Sequence, residues 1–522
     1  LNSLSGAQSI VTTATASYDT AAAKIAAYAQ DDGAAAPATN DYANAGITGA
    51  TDRTTSLVND RIDGLSATEV DTVAQVQALV SAAAAVMSGA AAGTAPTLAQ
   101  LNALGVTGVT ADNLAAVQAA IAATANDGSG VDSLSELQTI ASNAAAQAAA
   151  AITTISDAAQ ANTATATTPA ATVYSAAGVT GVTDGNLAAI NNALNSAAVT
   201  GALTDTAAEI QDLVTAYVAI LAGADADASN DNATAITAQY TAIGVTDATD
   251  RTTSLVNDRI DGLSATEVDT VAQVQALVSA AAAVMSGAAA GTAPTLAQLN
   301  ALGVTGVTAD NLAAVQAALA AATDATQLNS LSGAQSIVTT ATASYDTAAA
   351  KIAAYAQDNG VDLITNPAPV LADYTALGVT GIGGTGQPTV AMLSSALADT
   401  DITGTLADTA AKVQTIVDAY QAIVQSADGE ANNDSDNPTQ AQYAAIGING
   451  VNTLEEEGLL GDVLDTANRN GTATDAAAVD SVAKLQTLAD AVQNVMDGDA
   501  SLAELQSLGI TGVTAQNLLA VQ

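Results

Sequence analysis

The sequence predicts an all-α chain, a tandem array of about eight small three-helix bundles of about 66 residues each. Three observations carry this expectation. Residues Thr51 to Ala120 reappear without a change as Thr249 to Ala318, a block of 70 residues at an offset of 198, and Leu1 to Asp31 reappears as Leu328 to Asp358 at an offset of 327. Internal copies mark repeat architectures, which use them for length or valency, whereas an enzyme rarely needs its fold twice. A phrase made of a helix end, Gly, [VI]-[TN], usually a second Gly, and a new helix recurs eight times. It is led by Gly46, Gly105, Gly178, Gly244, Gly303, Gly378, Gly447 and Gly509, at spacings of 59 to 75. Finally, β-branched alternation is confined to the few residues of the GVTGVT link, so strand signals are thin.

Each module reads as a long, a short and a medium helix. Ser66-Ala67-Thr68-Glu69 is a capping box predicted to open the long helix, whose apolar stripe continues through Val73, Val76, Leu79, Val80 and Met87. The phrase Asp-[ST]-x-[AS]-x-[VIL]-Gln-x-[LI] lies in this helix at Asp71–Leu79, Asp132–Ile140, Asp269–Leu277 and Asp480–Leu488, with looser versions from Asp205 and Asp408. The short helix spans Thr97 to Leu104, and Gly105 takes the left-handed position that ends it. Thr110 then caps the medium helix, with Val109 and Leu114 as its hydrophobic staple and Leu114, Val117, Gln118 and Ile121 along one face. A second capping box stands at Ser501-Leu502-Ala503-Glu504. One amphipathic helix cannot hide its stripe alone, so three fold back on each other. The modules fall at 1–62, 63–126, 127–197, 198–260, 261–324, 325–400, 401–470 and 471–522. Asn126-Asp127-Gly128-Ser129-Gly130 breaks the chain between modules and reads as a hinge. Asn311 to Gln357, with only Gly333 as a breaker, reads as nearly continuous helix.

Composition bounds the function. Nine Lys and Arg against 52 acids give a net charge of −43, which excludes phosphate-tracking nucleic-acid binding and argues against anionic lipid. Acids spread along the whole chain give solubility and mutual repulsion of long molecules, or else serve divalent cations. The apolar share is 49% but aromatics only 2%, so alanine carries it and each core should be thin. Without cysteine there is no disulfide framework and no thiolate metal site. The richest apolar run appears at Ala144 to Ile152, too short for a membrane span, so no membrane insertion is expected. The chain starts at Leu1 and both ends cut through repeats, which predicts a piece of something longer.

Candidate chemistry is sparse. No His or Cys is present to act as base, zinc ligand or thiol nucleophile, so no catalytic residues are assigned and an enzyme is not expected. Gly381-Ile382-Gly383-Gly384-Thr385-Gly386 fits GxGxxG, but it follows a helix rather than a strand and reads as a flexible insertion, not a cofactor site. Acidic loops follow the long helices: Asp225, Asp227, Asn230, Asp231 and Asn232 in one, Asp428, Glu430, Asn432, Asp434 and Asp436 in another, and Asp31, Asp32, Asn40 and Asp41 in a weaker third. Oxygen ligands at alternate loop positions suit calcium, though none keeps the EF-hand spacing. The competing reading is a solvated turn rich in capping residues. Tyr42, Tyr174, Tyr240, Tyr374 and Tyr443 each precede the leading Gly by four residues, where Leu101, Leu299 and Leu505 stand in other modules. A position that alternates Tyr with Leu reads as a core plug whose hydroxyl reaches solvent. Gln77, Gln138, Gln211, Gln275, Gln414 and Gln486 recur beside the stripe of the long helix, placed for a hydrogen bond to a neighbouring loop or module.

The phrase Y-x-A-[LI]-G-[VI]-T-G-V-T-x-x-N-L, in Ala- and Thr-rich, acidic, Cys-free modules, resembles repeats of very large surface proteins of Gram-negative, often marine, bacteria, including repetitive adhesins exported by type I secretion. In outline it is also similar to the three-helix albumin-binding modules of Gram-positive surface proteins. The likeness covers essentially the whole chain, but its motif is structural and transfers no functional residues. It implies an extracellular or cell-surface stalk or fibre, with calcium as a further implication. The tip, anchor and secretion signal of such adhesins do not occur in this sequence. The expectation is a non-enzymatic spacer or fibre-forming scaffold that associates with copies of itself. Helices of about 20 residues span about 30 Å, so eight bundles end to end would reach on the order of 200 Å. The alternative is a set of multivalent modules recognising a host protein or glycan, which needs an apolar patch repeated in every module. Ice binding lacks the regular 11-residue Thr spacing it would need.

Overall fold

The structure is a computed structural model that describes residues 3–31, 33–161, 168–229, 232–287, 293–322, 325–427, 437–466 and 479–522. The chain is all-helical, with 24 α-helices and no strand among the described residues. It divides into two compact units, Leu1–Val278 and Ser279–Gln522, the division falling inside the helix Val271–Gly287.

In the first unit the order long, short, medium recurs four times. Leu4–Tyr28, Thr39–Asn44 and Asp52–Ile62 are followed by Val73–Ala90, Leu98–Ala103 and Leu114–Ala122. Leu134–Ala161, Ala171–Ala176 and Leu187–Leu194 come next, then Ala207–Gly223, Thr237–Ala242 and Asp250–Ile260. One core of this unit runs without interruption from Ala21 to Ala144, taking in Tyr42, Val80, Leu101 and Leu137. Side chains from more than one 66-residue stretch therefore share a single apolar interior. Alanines Ala82 and Ala83 are fully buried in it and let the helices approach closely. Burying each Val or Leu contributes about 1.5–3 kcal/mol, so the branched residues carry most of the stabilisation.

The second unit keeps the same order. Leu296–Ala301 and Leu312–Ala321 lead to Leu331–Gln357, Leu371–Leu377 and Val390–Leu397. Ala410–Ser426, Gln440–Ala445, Leu454–Asp465, Val482–Asp497, Leu502–Ser507 and Leu518–Val521 complete it. Its core is continuous from Ala314 to Leu508.

Several helix ends differ from the sequence reading. Ser66 and Glu69 do form a capping box, but on a single 3₁₀ turn, Ala67–Glu69. The long helix starts at Val73, under a second box made by Thr72 and Gln75. That cap lies nearer the apolar stripe, and Val70 leaves helical geometry at φ −135°. The medium helix starts at Leu114, not after Thr110, because Asn113 closes the turn ahead of it. Its Oδ1 accepts the Thr110 amide at 2.8 Å and its Nδ2 donates to the Gly108 carbonyl at 3.0 Å. Asn186, Asn311 and Asn517 repeat both bonds, which explains the Asn-Leu that ends the repeat phrase. The Ser501–Glu504 box is present as expected.

The stretch from Asn311 to Gln357 is not continuous helix. The medium helix ends at Ala321, a 3₁₀ turn follows at Ala325–Leu328, and Ser330 caps a new helix at Leu331. Gly333 is no breaker: it lies in the first turn, where an added Cβ would sit 1.9 Å from the Gln327 carbonyl oxygen. The turn at Asn126–Gly130 is likewise not a loose hinge. Arg53 reaches across it to Asp127 at 3.3 Å and to Asp132 at 2.7 Å, and Val131 is fully buried. The apolar run Ala144 to Ile152 lies within the helix Leu134–Ala161, and among the described helices of 18 residues or more Val73–Ala90 is the one apolar enough to cross a membrane. Its 18 residues have a mean hydropathy of 1.5. Within the unit, Val76, Val80, Ala83 and Val86 of this helix are buried in the core.

Candidate functional sites: acidic loops, buried pairs and the glutamine clamp

Of the seven residues expected to hold calcium, Asp225 and Asp227 are described. Asp231, Asp428, Glu430, Asp434 and Asp436 lie outside the described residues. Asp225 and Asp227 stand in a turn after the helix Ala207–Gly223. Asp225 Oδ1 accepts the Asp227 amide at 3.0 Å and its Oδ2 accepts Asn232 Nδ2 at 2.7 Å. Asp227 Oδ1 accepts both the amide and the hydroxyl of Ser229. Buried Asp261 supports the same loop, its Oδ1 accepting the Asn232 and Ala233 amides. This is the arrangement of a capped turn, in which carboxylates meet the chain's own donors. In the weaker third loop, Asp31 Oδ1 accepts the Gly33 amide, and Asp41 pairs with Lys24 at 2.5 Å. The Lys24 ammonium bond holds the Asp41 carboxyl below the usual carboxylate range.

The GxGxxG stretch is a loop between Leu371–Leu377 and Val390–Leu397, with Gly381, Gly383 and Gly386 all at positive φ. The Gly383 amide donates to the Pro388 carbonyl, and the Gly384 amide to Gln387 Oε1. A helix precedes it, as the sequence suggested, and it lengthens the link between short and medium helices.

The tyrosine position is core, but its hydroxyl stays inside. Tyr42, Tyr174 and Tyr240 are fully buried and donate to Asn59, Asn191 and Asn257. Each of these asparagines donates in turn to a backbone carbonyl, of Pro37, Pro169 or Ala235, at 2.9–3.0 Å. Burial pushes the three phenols up from their ordinary range, which keeps them protonated as donors. Where leucine takes the place, at Leu101, Leu299 and Leu505, the partner is glutamine. Gln118, Gln316 and Gln522 reach the equivalent carbonyls of Pro96, Pro294 and Ala500 at 2.7–2.9 Å. All six pairs are 17 residues apart. Tyr with Asn and Leu with Gln are two ways of satisfying one buried carbonyl. Sequence reading found the first residue of each pair, but the spacing of 17 was the signal for the second.

The recurrent glutamine is the most regular feature of the molecule. Gln77 Oε1 accepts the Thr48 amide, and Gln77 Nε2 donates to the Thr48 carbonyl. The same two-bond clamp joins Gln138 to Thr107, Gln211 to Thr180, Gln275 to Thr246, Gln414 to Thr380 and Gln486 to Asn449. A seventh, Gln335 to Thr305, was missed because Asn329 replaces the Asp that opens the phrase and Ala334 its apolar [VIL] residue. Across all seven, the amide bonds are 2.8–3.0 Å and the carbonyl bonds 3.0–3.2 Å. Each clamp ties the link ahead of a medium helix to the next long helix. The two-glycine phrase makes the link possible. Every leading Gly has a positive φ, and so has each second Gly, with Asp247 at φ 60° in the one module that lacks it.

An open, alanine-lined groove lies between the medium, long and short helices at two equivalent places. One is bordered by Ala116, Ile140, Ala144 and Ala176, the other by Ala314, Ile337, Ala341 and Ala376. No three potential metal ligands of the His, Cys, Asp or Glu type come together among the described residues. Compared with protein-family models, with curated proteins and with solved structures, the chain matches none.

Proposed function

We propose that this chain is a non-enzymatic structural repeat region: a tandem array of three-helix modules acting as a spacer or fibre-forming scaffold. The observation that carries the reading is the seven-fold glutamine clamp. Its polar groups repeat at every joint and converge on no single pocket, as expected of a solenoid-like object stabilised by nearest-neighbour interfaces. The exchange of whole blocks at offsets of 198 and 327 suits the same reading, since shuffling preserves joints but would disrupt a unique site. With the likeness of the repeat phrase to bacterial surface adhesins, the reading extends to a scaffold in an extracellular filament or at the cell surface. There the charge of −43 keeps long chains apart. Electron microscopy of the purified chain tests this. Elongated particles on the order of 200 Å, from helices of about 30 Å each, are expected; compact globules would overturn the array.

A second reading has one observation behind it. A groove recurs at two equivalent places, apolar beside Ala314 and Ala376 and half polar, through Asn143, Gln147 and Thr172, beside Ala116 and Ala176, and multivalent modules recognising a host protein or glycan would use such a repeated concavity. Widening it with Ala120→Gly and Ala318→Gly, or filling it with Ala120→Leu and Ala318→Leu, changes ligand capture under this reading and leaves particle length unchanged.

A further inference from the structure

The loop between the helices Leu331–Gln357 and Leu371–Leu377 carries an apolar ridge. Ile364 is 97% exposed and Val361 81%, and Leu363, Val370 and Leu371 are each more than half exposed. No other stretch of eleven residues holds as many exposed large aliphatics among the described residues. Hydrogen bonds beneath the ridge hold the loop in shape. Asp358 Oδ2 accepts the Asp362 amide at 3.0 Å and Asn366 Nδ2 at 3.1 Å, and Asp362 Oδ1 accepts the amides of Ile364 and Thr365. Both carboxylates therefore serve internal donors, and Pro367 and Pro369 stiffen the return to the short helix. A ridge ordered before anything covers it loses little further entropy on docking.

The groove bordered by Ala314, Ile337, Ala341 and Ala376 begins where the ridge ends, since Leu371 belongs to both. It is open, measures about 920 Å³ and is walled largely by alanine, so branched side chains can enter it. No charged side chain lines it, in a chain with 52 acids and a net charge of −43. Two copies of so acidic a chain can approach closely only over surface free of net charge. The equivalent groove beside Ala116 and Ala176 is a natural contrast. Asn143 and Gln147 make its wall polar, and residues 162–171, ahead of its short helix, include no Val, Leu or Ile. The ridge accompanies the apolar groove and not the polar one.

We propose that the ridge Val361–Ile364 docks in the groove beside Ala314 and Ala341 of a second copy of this chain. The groove centres on Thr340, and the ridge follows Gln357, so the two are about 25 Å apart along one helix at about 1.5 Å per residue. A two-fold axis between them places each ridge in the other copy's groove, so the contact is isologous and closes as a dimer. Val370 and Leu371, lying between ridge and groove, meet their own counterparts across that axis. This rests on the array reading above and names its self-association surface.

Sedimentation velocity of the whole chain over a concentration series tests it. The wild type should pass from monomer to dimer and no further, and at lower concentration in high salt, where repulsion between the acidic bodies is screened. Ile364→Asp on the ridge and Thr340→Glu in the groove should each weaken the dimer by about tenfold or more. Mixed together, they retain one sound ridge and one sound groove, and should form a heterodimer weaker than the wild-type dimer but tighter than either variant alone. Thr172→Glu adds the same charge to the equivalent groove and should dimerise like the wild type. All three positions are exposed, so circular dichroism should be unchanged. A wild type that stays monomeric throughout, or an Ile364→Asp variant that dimerises normally, overturns the docking. A monomer that instead floats with phosphatidylcholine vesicles, and stops doing so with Ile364→Asp, overturns it too and gives the ridge to a membrane surface. Elongated monomers in electron micrographs would then leave the array standing, whereas compact monomers would remove it as well.

Discussion

The 17-residue pairing makes a sharp prediction about energy. Asn59 sits between the Tyr42 hydroxyl and the Pro37 carbonyl, all of them buried. Asn59→Ala removes both bonds at once and leaves a donor and an acceptor without partners. A buried polar group without a partner costs about 1–3 kcal/mol, so the pair together costs about 3 kcal/mol. Tyr42→Leu alone is also unfavourable, because it empties part of the core and strands the Asn59 carbonyl oxygen. Asn59→Gln alone forces a longer side chain against the tyrosine. The double change Tyr42→Leu with Asn59→Gln recreates the arrangement of Leu101 with Gln118, in which glutamine reaches the proline carbonyl directly. Its cost should fall below the sum of the single changes by about 1–3 kcal/mol, the range of coupling between contacting residues. Unfolding of a 522-residue chain with two compact units need not be two-state, so the assay should be local. Hydrogen exchange read by mass spectrometry over residues 39–62 reports the opening free energy of that module. For Asn59→Ala protection should drop roughly a hundredfold, since about 1.4 kcal/mol is a factor of ten. Tyr443 gives an internal control. Its hydroxyl is buried without a partner among the described residues, so Tyr443→Phe should be neutral or stabilising. Additive costs for the Tyr42 and Asn59 changes would refute the reasoning.

The remaining predictions concern the joints, links, caps and acidic loops. Gln77→Ala cuts one exposed clamp and should cost about 1 kcal/mol by local exchange; a melt and exchange pattern identical to wild type would remove the clamp from the stability argument. Asp247 occupies the left-handed position that glycine fills elsewhere, so Asp247→Gly should stabilise by about 1 kcal/mol, and Gly306→Asp should lose a similar amount in a denaturant titration. Glu69, Glu267, Glu456 and Glu504 are held below the usual carboxylate range by hydroxyl and amide donors at their caps. A depressed folded-state pKa contributes stability that is fully present above the unfolded value of about 4.3 and is lost as pH falls through the folded one. Helical content should therefore hold from pH 7 to about 5 and fall below about 4, with Glu69→Gln and Glu504→Gln flattening that dependence, as circular dichroism would report. Melts in calcium and in chelator should superimpose, because the Asp225 and Asp227 carboxylates already accept internal donors; a rise with calcium would assign the acidic loops as ligands after all.

The all-helical class and the long–short–medium order were legible because their determinants are local. Alanine propensity, a cap at each start and a glycine at each short helix's end act within a turn of the residues that carry them. Exact starts were less legible where two caps compete. Ser66–Glu69 and Thr72–Gln75 are equally good boxes in the sequence, and only the second continues into a buried stripe. Gly333 looked like a breaker because its lack of a side chain was legible and the Gln327 carbonyl beside it was not. The tyrosine hydroxyl was misplaced for a related reason: its partner lies 17 residues on, beyond any helical period, and changes identity with the plug. The identical copies show where local reasoning stops. Val11 and Val338 have the same neighbours for ten residues on either side and the same helical backbone, yet one is exposed and the other fully buried. Nothing within the segment buries Val338; a link and a helix that lie before the second copy do. A repeat's sequence therefore specifies its secondary structure by itself and its burial only together with its neighbour, as nearest-neighbour stacking requires. The glutamine clamp belongs to that second level, since it recurs between a link and the long helix that follows it.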